Sequence, residues 1–172
     1  VLVSLVLVVM ITVSSWIALR PIATERRRLY PVALMAIAVA GLPVLFLTTE
    51  WVLDITPWYA PRYLIPLAGM IFANAMNSVS IAAERYVSEF NTGLDHVEAR
   101  RKAFEAALIP LINSLLAVGL VSLPGMMTGQ VLAGISPLIA VRYQILVMCM
   151  LFGSSGIAVA CYLYWAKLSR LD

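Results

Sequence analysis

The sequence predicts an all-α integral membrane fold: a polytopic helical bundle of about five transmembrane helices with a cytosolic amphipathic helix. Three observations carry that prediction. Hydrophobic residues make up 62% of the 172-residue chain and charged residues only 12%, where a soluble domain has about half apolar and roughly a quarter charged residues. The apolar runs each approach the ~20 residues needed to cross the hydrocarbon core. The charges gather between those runs rather than within them.

Taken in order, the predicted spans run from Val1 to Leu19, Tyr30 to Thr49, Tyr63 to Ala83, Ala107 to about Val131, and Leu138 to Ala166. The loop after the first carries Arg20, Arg26, Arg27 and Arg28, whereas the next holds Glu50, Asp54, a lone Arg62 and the interfacial aromatics Trp51, Trp58 and Tyr59. An excess of basic residues marks the cytoplasmic side. The first loop is therefore expected inside and the second outside. Alternation then places Glu84 to Glu105 inside, the short turn from Gly134 to Pro137 outside, and the C-terminus with Lys167 and Arg170 inside. Arg142 departs from this pattern. It fits either a side chain snorkelling to the headgroups or a contact on a gate or solute path.

The chain opens on Val1 inside an apolar run, without a basic leader or small-residue cleavage site, so it reads as the C-terminal part of something longer rather than a signal peptide. Cys149 and Cys161 share the last span, about 120° apart around a helix, which argues against a disulfide. The net charge of +3 comes from basic residues at span ends rather than a basic domain, so it reports orientation; the partners expected are membrane lipid and not nucleic acid.

In the third span Met70, Asn74, Asn77, Ser78 and Ile81 recur at three- and four-residue steps, and Gly69 with Ala73 offers a small surface. No proline follows Pro66, so this helix is expected to continue to Phe90 and protrude into the cytosol, roughly 35 Å from Pro66. The polar stripe fits two roles. Its amides and hydroxyl can tie neighbouring helices together at ~1 kcal/mol each, or they can line a solute path.

Residues 84–106 form the large inner loop. Gly93 breaks the preceding helix, and Asp95 followed by Glu98 resembles a capping box. Leu94, Val97, Phe104 and Leu108 recur at helical spacing beside Arg100, Arg101, Lys102 and Glu105, which makes the segment amphipathic. Such a helix suits a partner protein and an anionic membrane surface equally well.

The fourth span is interrupted. Pro124 removes a backbone donor, Gly125 and Gly129 form a G-x-x-x-G pair, and Met126, Met127, Thr128 and Gln130 follow. A kinked or discontinuous helix is predicted, at a packing interface or pathway, because freed carbonyls in hydrocarbon need a partner or water. The methionine pair raises a soft-metal site. It equally fits the use of methionine as a core gap-filler, and His96 in the inner loop is the sole histidine.

No phosphate-binding loop, zinc-spaced Cys/His cluster or Ser-His-Asp set is present. The chain is therefore expected to be no enzyme and to bind no cofactor directly.

The blocks "IPLAGMIFANAMNSVSIAAER", "GLVSLPGMMTG" and "AGISPLIAVRYQ" resemble the Fet-type iron-export permeases of bacterial ATP-binding-cassette transporters, whose plant relatives act in aluminium tolerance. The resemblance extends over nearly the whole chain. It implies two further spans ahead of Val1 and a multi-pass permease domain over 1–172 in the cell inner membrane, expected to work as a homodimer. It also implies export of a metal ion such as iron, with ATP bound by a separate cytosolic ATPase that engages the coupling loop 84–106. Leu94, Val97, Arg100, Arg101 and Phe104 are then the candidate coupling residues, and Met70, Asn74, Asn77, Ser78, Met126 and Met127 the candidate pathway. Pro124, Gly125 and Gly129 supply the helix break and packing. This chain has the shorter "NTGLDHVEARRKAFE" where other members carry a longer loop. The alternative from a different class is an ATP-independent channel or membrane scaffold, suggested by the G-x-x-x-G surface and the lack of a catalytic motif.

Overall fold

The computed structural model describes residues 2–53, 57, 59–121 and 123–171, with side chains described as far as Ala166. Its α-helices are α1 (Leu2–Ala18), α2 (Arg26–Phe46), α3 (Pro61–Asn91), α4 (His96–Ala117), α5 (Gly125–Leu132) and α6 (Pro137–Leu171). There is no strand among the described residues. Three stretches are long and apolar enough to cross a membrane: Arg26–Val52, Pro61–Asn91 and Pro137–Ala166. The first predicted span is a shorter apolar helix of 17 residues, and the fourth is the pair α4 and α5. The protein is a helical membrane protein.

α3 is the central element and packs against α1, α2, α4 and α6. Small residues make that possible. On α2, Ala33, Ala36, Ile37 and Ala40 are buried at helical spacing, a face narrow enough to let a neighbouring backbone approach. Gly41 extends it: a β-carbon built there would lie 2.5 Å from the Phe72 ring. Phe72, Ile71 and Val79 of α3, and Val159, Tyr162 and Leu163 of α6, fill the space between.

The loop between α1 and α2 is fastened by one arginine. Arg26 donates from Nε (3.0 Å) and Nη2 (2.5 Å) to the Trp16 carbonyl, and its guanidinium lies 3.7 Å from the Trp16 ring centroid. Tyr30 packs edge-on against the same indole at 5.7 Å. A cation at the last carbonyls of a helix opposes the negative end of its dipole. Arg26, one of the charges that read as a topology signal, thus also closes the α1–α2 turn.

Toward its C-terminus α2 passes Pro43 and continues as a π-helical turn, Leu47–Val52. Thr48 and Thr49 hydroxyls donate back to the carbonyls of Val44 (2.7 Å) and Leu45 (2.9 Å). These bonds satisfy carbonyls that the widened turn loosens. α3 begins with Pro61, a residue whose missing N–H costs nothing at a helix start, and it ends at Asn91, as the absence of later prolines predicts.

Candidate functional site

Two regions draw together the residues singled out in the sequence, and the interrupted fourth span joins them. α4 is one continuous helix from the charged inner loop into the fourth span, so the predicted cytosolic helix and the first half of that span are a single rod. Asp95 stands at its N-cap, but the capping-box side-chain bond is not made. The α3–α4 corner is held by ion pairs instead. The Glu89 carboxylate takes Arg85 Nη2 at 2.7 Å and Lys102 Nζ at 3.2 Å, with only 11% of the Glu89 side chain exposed. His96 Nδ1 lies 2.9 Å from the Tyr86 hydroxyl, and its ring stacks on Phe90 at 4.5 Å.

Beyond Ala117 the helix stops. Gly119 adopts φ +80°, a left-handed conformation that glycine takes at no steric cost. The amides of Leu120 and Val121 close back onto the Ala117 carbonyl at 3.2 and 2.8 Å. The helix is therefore discontinuous rather than kinked, and Pro124 serves as the N-cap residue of α5 with an extended ψ of 142°. α5 then ends in a Schellman motif. The Gly134 amide donates to Val131 O and the Ile135 amide to Gln130 O, both at 3.0 Å, with Gly134 at φ +85°. That turn reverses the chain into α6 and sets Gln130 and Ile135 side by side.

The first region is a cavity of about 780 Å³ between α3, α5 and α6. α3 contributes Arg62, Tyr63, Pro66, Leu67 and Met70, α5 contributes Met126 and Gln130, and Leu53, Ile135 and Tyr143 complete the wall. Gln130 Oε1 is buried there with no hydrogen-bond partner among the described residues.

Of the candidate pathway residues, Met70 and Met126 meet at this cavity. Asn74, Asn77, Ser78 and Met127 do not line it. Asn74 is half-buried and donates to the Met70 carbonyl of its own helix at 2.9 Å. Ser78 is buried and Asn77 is exposed on the chain's surface. The stripe predicted as one face thus divides between core, helix backbone and surface. Arg142 is exposed and stands outside the cavity wall. Arg62, Tyr63 and Tyr143 were missed as cavity residues because their approach depends on how α5 folds back; only their interfacial residue types hinted at it.

The second region is a groove of about 330 Å³ between the first turns of α4 and the end of α6. Val97, Arg100, Arg101 and Phe104 line one side, and Ala160, Leu163 and Tyr164 the other. Four of the five candidate coupling residues share this groove. Leu94 instead packs against the core at the α3–α4 corner. Gly125 and Gly129, the predicted close-packing pair, have nothing within 4 Å of a built β-carbon among the described residues, so the predicted close approach is not made there. The described residues hold no group of three or more His, Cys, Asp or Glu able to bind a metal ion.

No solved structure matches this chain. Among curated proteins it is 37% identical over 178 residues to the UPF0014 membrane protein slr1647 of Synechocystis sp., a match covering 93% of this chain and 69% of the relative. It is 40% identical over 126 residues to the probable iron export permease protein FetB of Escherichia coli, covering 63% of this chain and 49% of FetB. Protein ALUMINUM SENSITIVE 3 of Arabidopsis thaliana is 34% identical over 149 residues, with 74% of this chain and 54% of that protein covered. The chain thus spans about half the length of the latter two. A family model matches residues 1–169, and with it the chain belongs to the uncharacterised protein family UPF0014.

Proposed function

We propose that this chain forms the membrane-spanning permease portion of an ATP-binding-cassette transporter, driven by a separate cytosolic ATPase and exporting a metal cargo such as iron. The observation that carries this reading is the continuity of α4. One rod begins in the basic, aromatic groove of Val97, Arg100, Arg101 and Phe104 and ends at the break beyond which α5 walls the cavity. A push on the groove would be passed along α4, past Pro110, to its far end, where Asn113, Ser114 and Ala117 face Leu123 and Pro124 at the entry to α5, and through α5 to the cavity wall; that is the mechanical link a permease without its own nucleotide site needs. The likeness to FetB supports the cargo and the direction. In this reading the groove faces the cytoplasm, the cavity opens on the outer side, the C-terminus is cytoplasmic, and two copies assemble in the inner membrane.

The test is co-purification of the full-length protein with a nucleotide-binding subunit, followed by the Arg100→Glu/Arg101→Glu double variant. Charge reversal is expected to abolish ATPase capture and substrate-stimulated hydrolysis while leaving membrane insertion intact. Unchanged stimulation in the double variant, or isolation without any ATPase under cross-linking, refutes the reading and favours an ATP-independent channel or scaffold.

A further inference from the structure

The cavity's chemistry says what kind of solute it takes, and the inference rests on the permease reading above. A volume of about 780 Å³ is roughly 25 times the ~30 Å³ share of one water and falls in the range of sites that enclose small organic molecules. A bare metal ion needs far less space. It also needs oxygen anions, imidazoles, thiolates or, for a soft ion, several thioethers converging on one point; none of the described lining residues is acidic, a histidine or a cysteine, and Met70 and Met126 supply only two thioethers. Among the described lining residues the one full charge is the Arg62 guanidinium, which repels a free cation and attracts an anion. Its planar donors suit a carboxylate in a two-point contact.

Two further features complete the selection. Gln130 Oε1 is a buried acceptor with no hydrogen-bond partner among the described residues, a state that costs free energy unless a donor is brought to it. Tyr63 and Tyr143 frame the opening with hydroxyls and ring faces, and Met70 and Met126 supply apolar, polarisable wall for a carbon skeleton.

We infer that the cavity bounded by Arg62, Gln130, Met70 and Met126 binds a hydroxyl-bearing organic acid, free or as its metal chelate. The carboxylate lies on Arg62 and the hydroxyl donates to Gln130. A metal cargo then travels inside an anionic complex rather than as a naked ion.

The test is a binding measurement on the full-length permease in detergent without any ATPase, by intrinsic tryptophan fluorescence. The probes are citrate, tricarballylate (citrate without its hydroxyl), ferric citrate, and ferrous ion alone under reducing conditions. Citrate or ferric citrate is expected to bind saturably, and the tighter of the two identifies the free acid or the chelate as the preferred form. Arg62→Gln is expected to weaken that binding about tenfold or more, as loss of a charge-assisted contact does, with Arg62→Lys intermediate. Gln130→Leu is expected to erase the preference for citrate over tricarballylate. Saturable binding of ferrous ion alone that Arg62→Gln leaves unchanged or tightens overturns the inference, as does citrate binding insensitive to Arg62→Gln. Because no ATPase takes part, failure here leaves the permease reading standing, and failure of ATPase capture leaves the binding result standing.

Discussion

Gly41→Ala is the substitution whose outcome the packing of α2 on α3 fixes most tightly. A β-carbon at Gly41 would lie 2.5 Å from Phe72 Cε1, 3.0 Å from Phe72 Cδ1 and 3.1 Å from Ile71 Cγ2. Ordinary carbon contacts sit at about 3.5–4.0 Å, so at least ~1 Å must be opened. Phe72 and Ile71 are both fully buried, which leaves the ring little room to swing. Overpacking of this kind costs about 1–3 kcal/mol, whereas replacing glycine by alanine inside a helix returns up to ~1 kcal/mol. Gly69→Ala supplies the control, because its β-carbon meets only Met10 Cε at an ordinary 3.5 Å and keeps the propensity gain alone. The steric cost therefore shows as the difference between the two variants, about 1–3 kcal/mol, or roughly 2–12 °C in midpoint for a chain of this size. Thermal unfolding of the detergent-solubilised protein, followed by circular dichroism, measures it. Phe72→Leu combined with Gly41→Ala should recover part of the loss. A Gly41→Ala protein that melts at or above the Gly69→Ala protein would refute the argument that close backbone approach sets the position of α3.

The corner that links α3 to α4 gives a second expectation. Glu89→Gln should destabilise by about 1–3 kcal/mol and Lys102→Met by less, since Lys102 is 39% exposed and partly screened by solvent. A double-mutant cycle in the same melting assay should show coupling between them, and strict additivity would mean that the pair does not fasten the corner. At the broken span, Pro124→Ala should leave helix content unchanged by circular dichroism, because the proline caps α5 rather than kinking a continuous helix. Gly119→Ala should cost ~1–2 kcal/mol, since its φ of +80° is strained for any residue with a β-carbon. A rise in helicity for Pro124→Ala would show that the proline alone makes the break.

Composition and periodicity determined the class of this protein. With 62% hydrophobic residues in runs near 20 long, only helices that satisfy their own backbone can carry such segments through a bilayer. The extent of α3, the start of α4 just after Asp95 and the interruption near Pro124 were legible for the same reason: proline, glycine and charge act locally on the backbone. The tertiary structure alone decided which small residues make contact. The visible G-x-x-x-G of Gly125 and Gly129 meets nothing among the described residues, while the unremarked Gly41 is filled against Phe72. Spacing along one helix records which residues share a face, but not what stands opposite. The same limit divided the polar stripe of α3, so that Met70 reached the cavity while Asn77 stayed on the surface. It also hid Arg62 and Tyr143, which join the wall with Gln130 only after the turn following α5 has folded α5 back against α6.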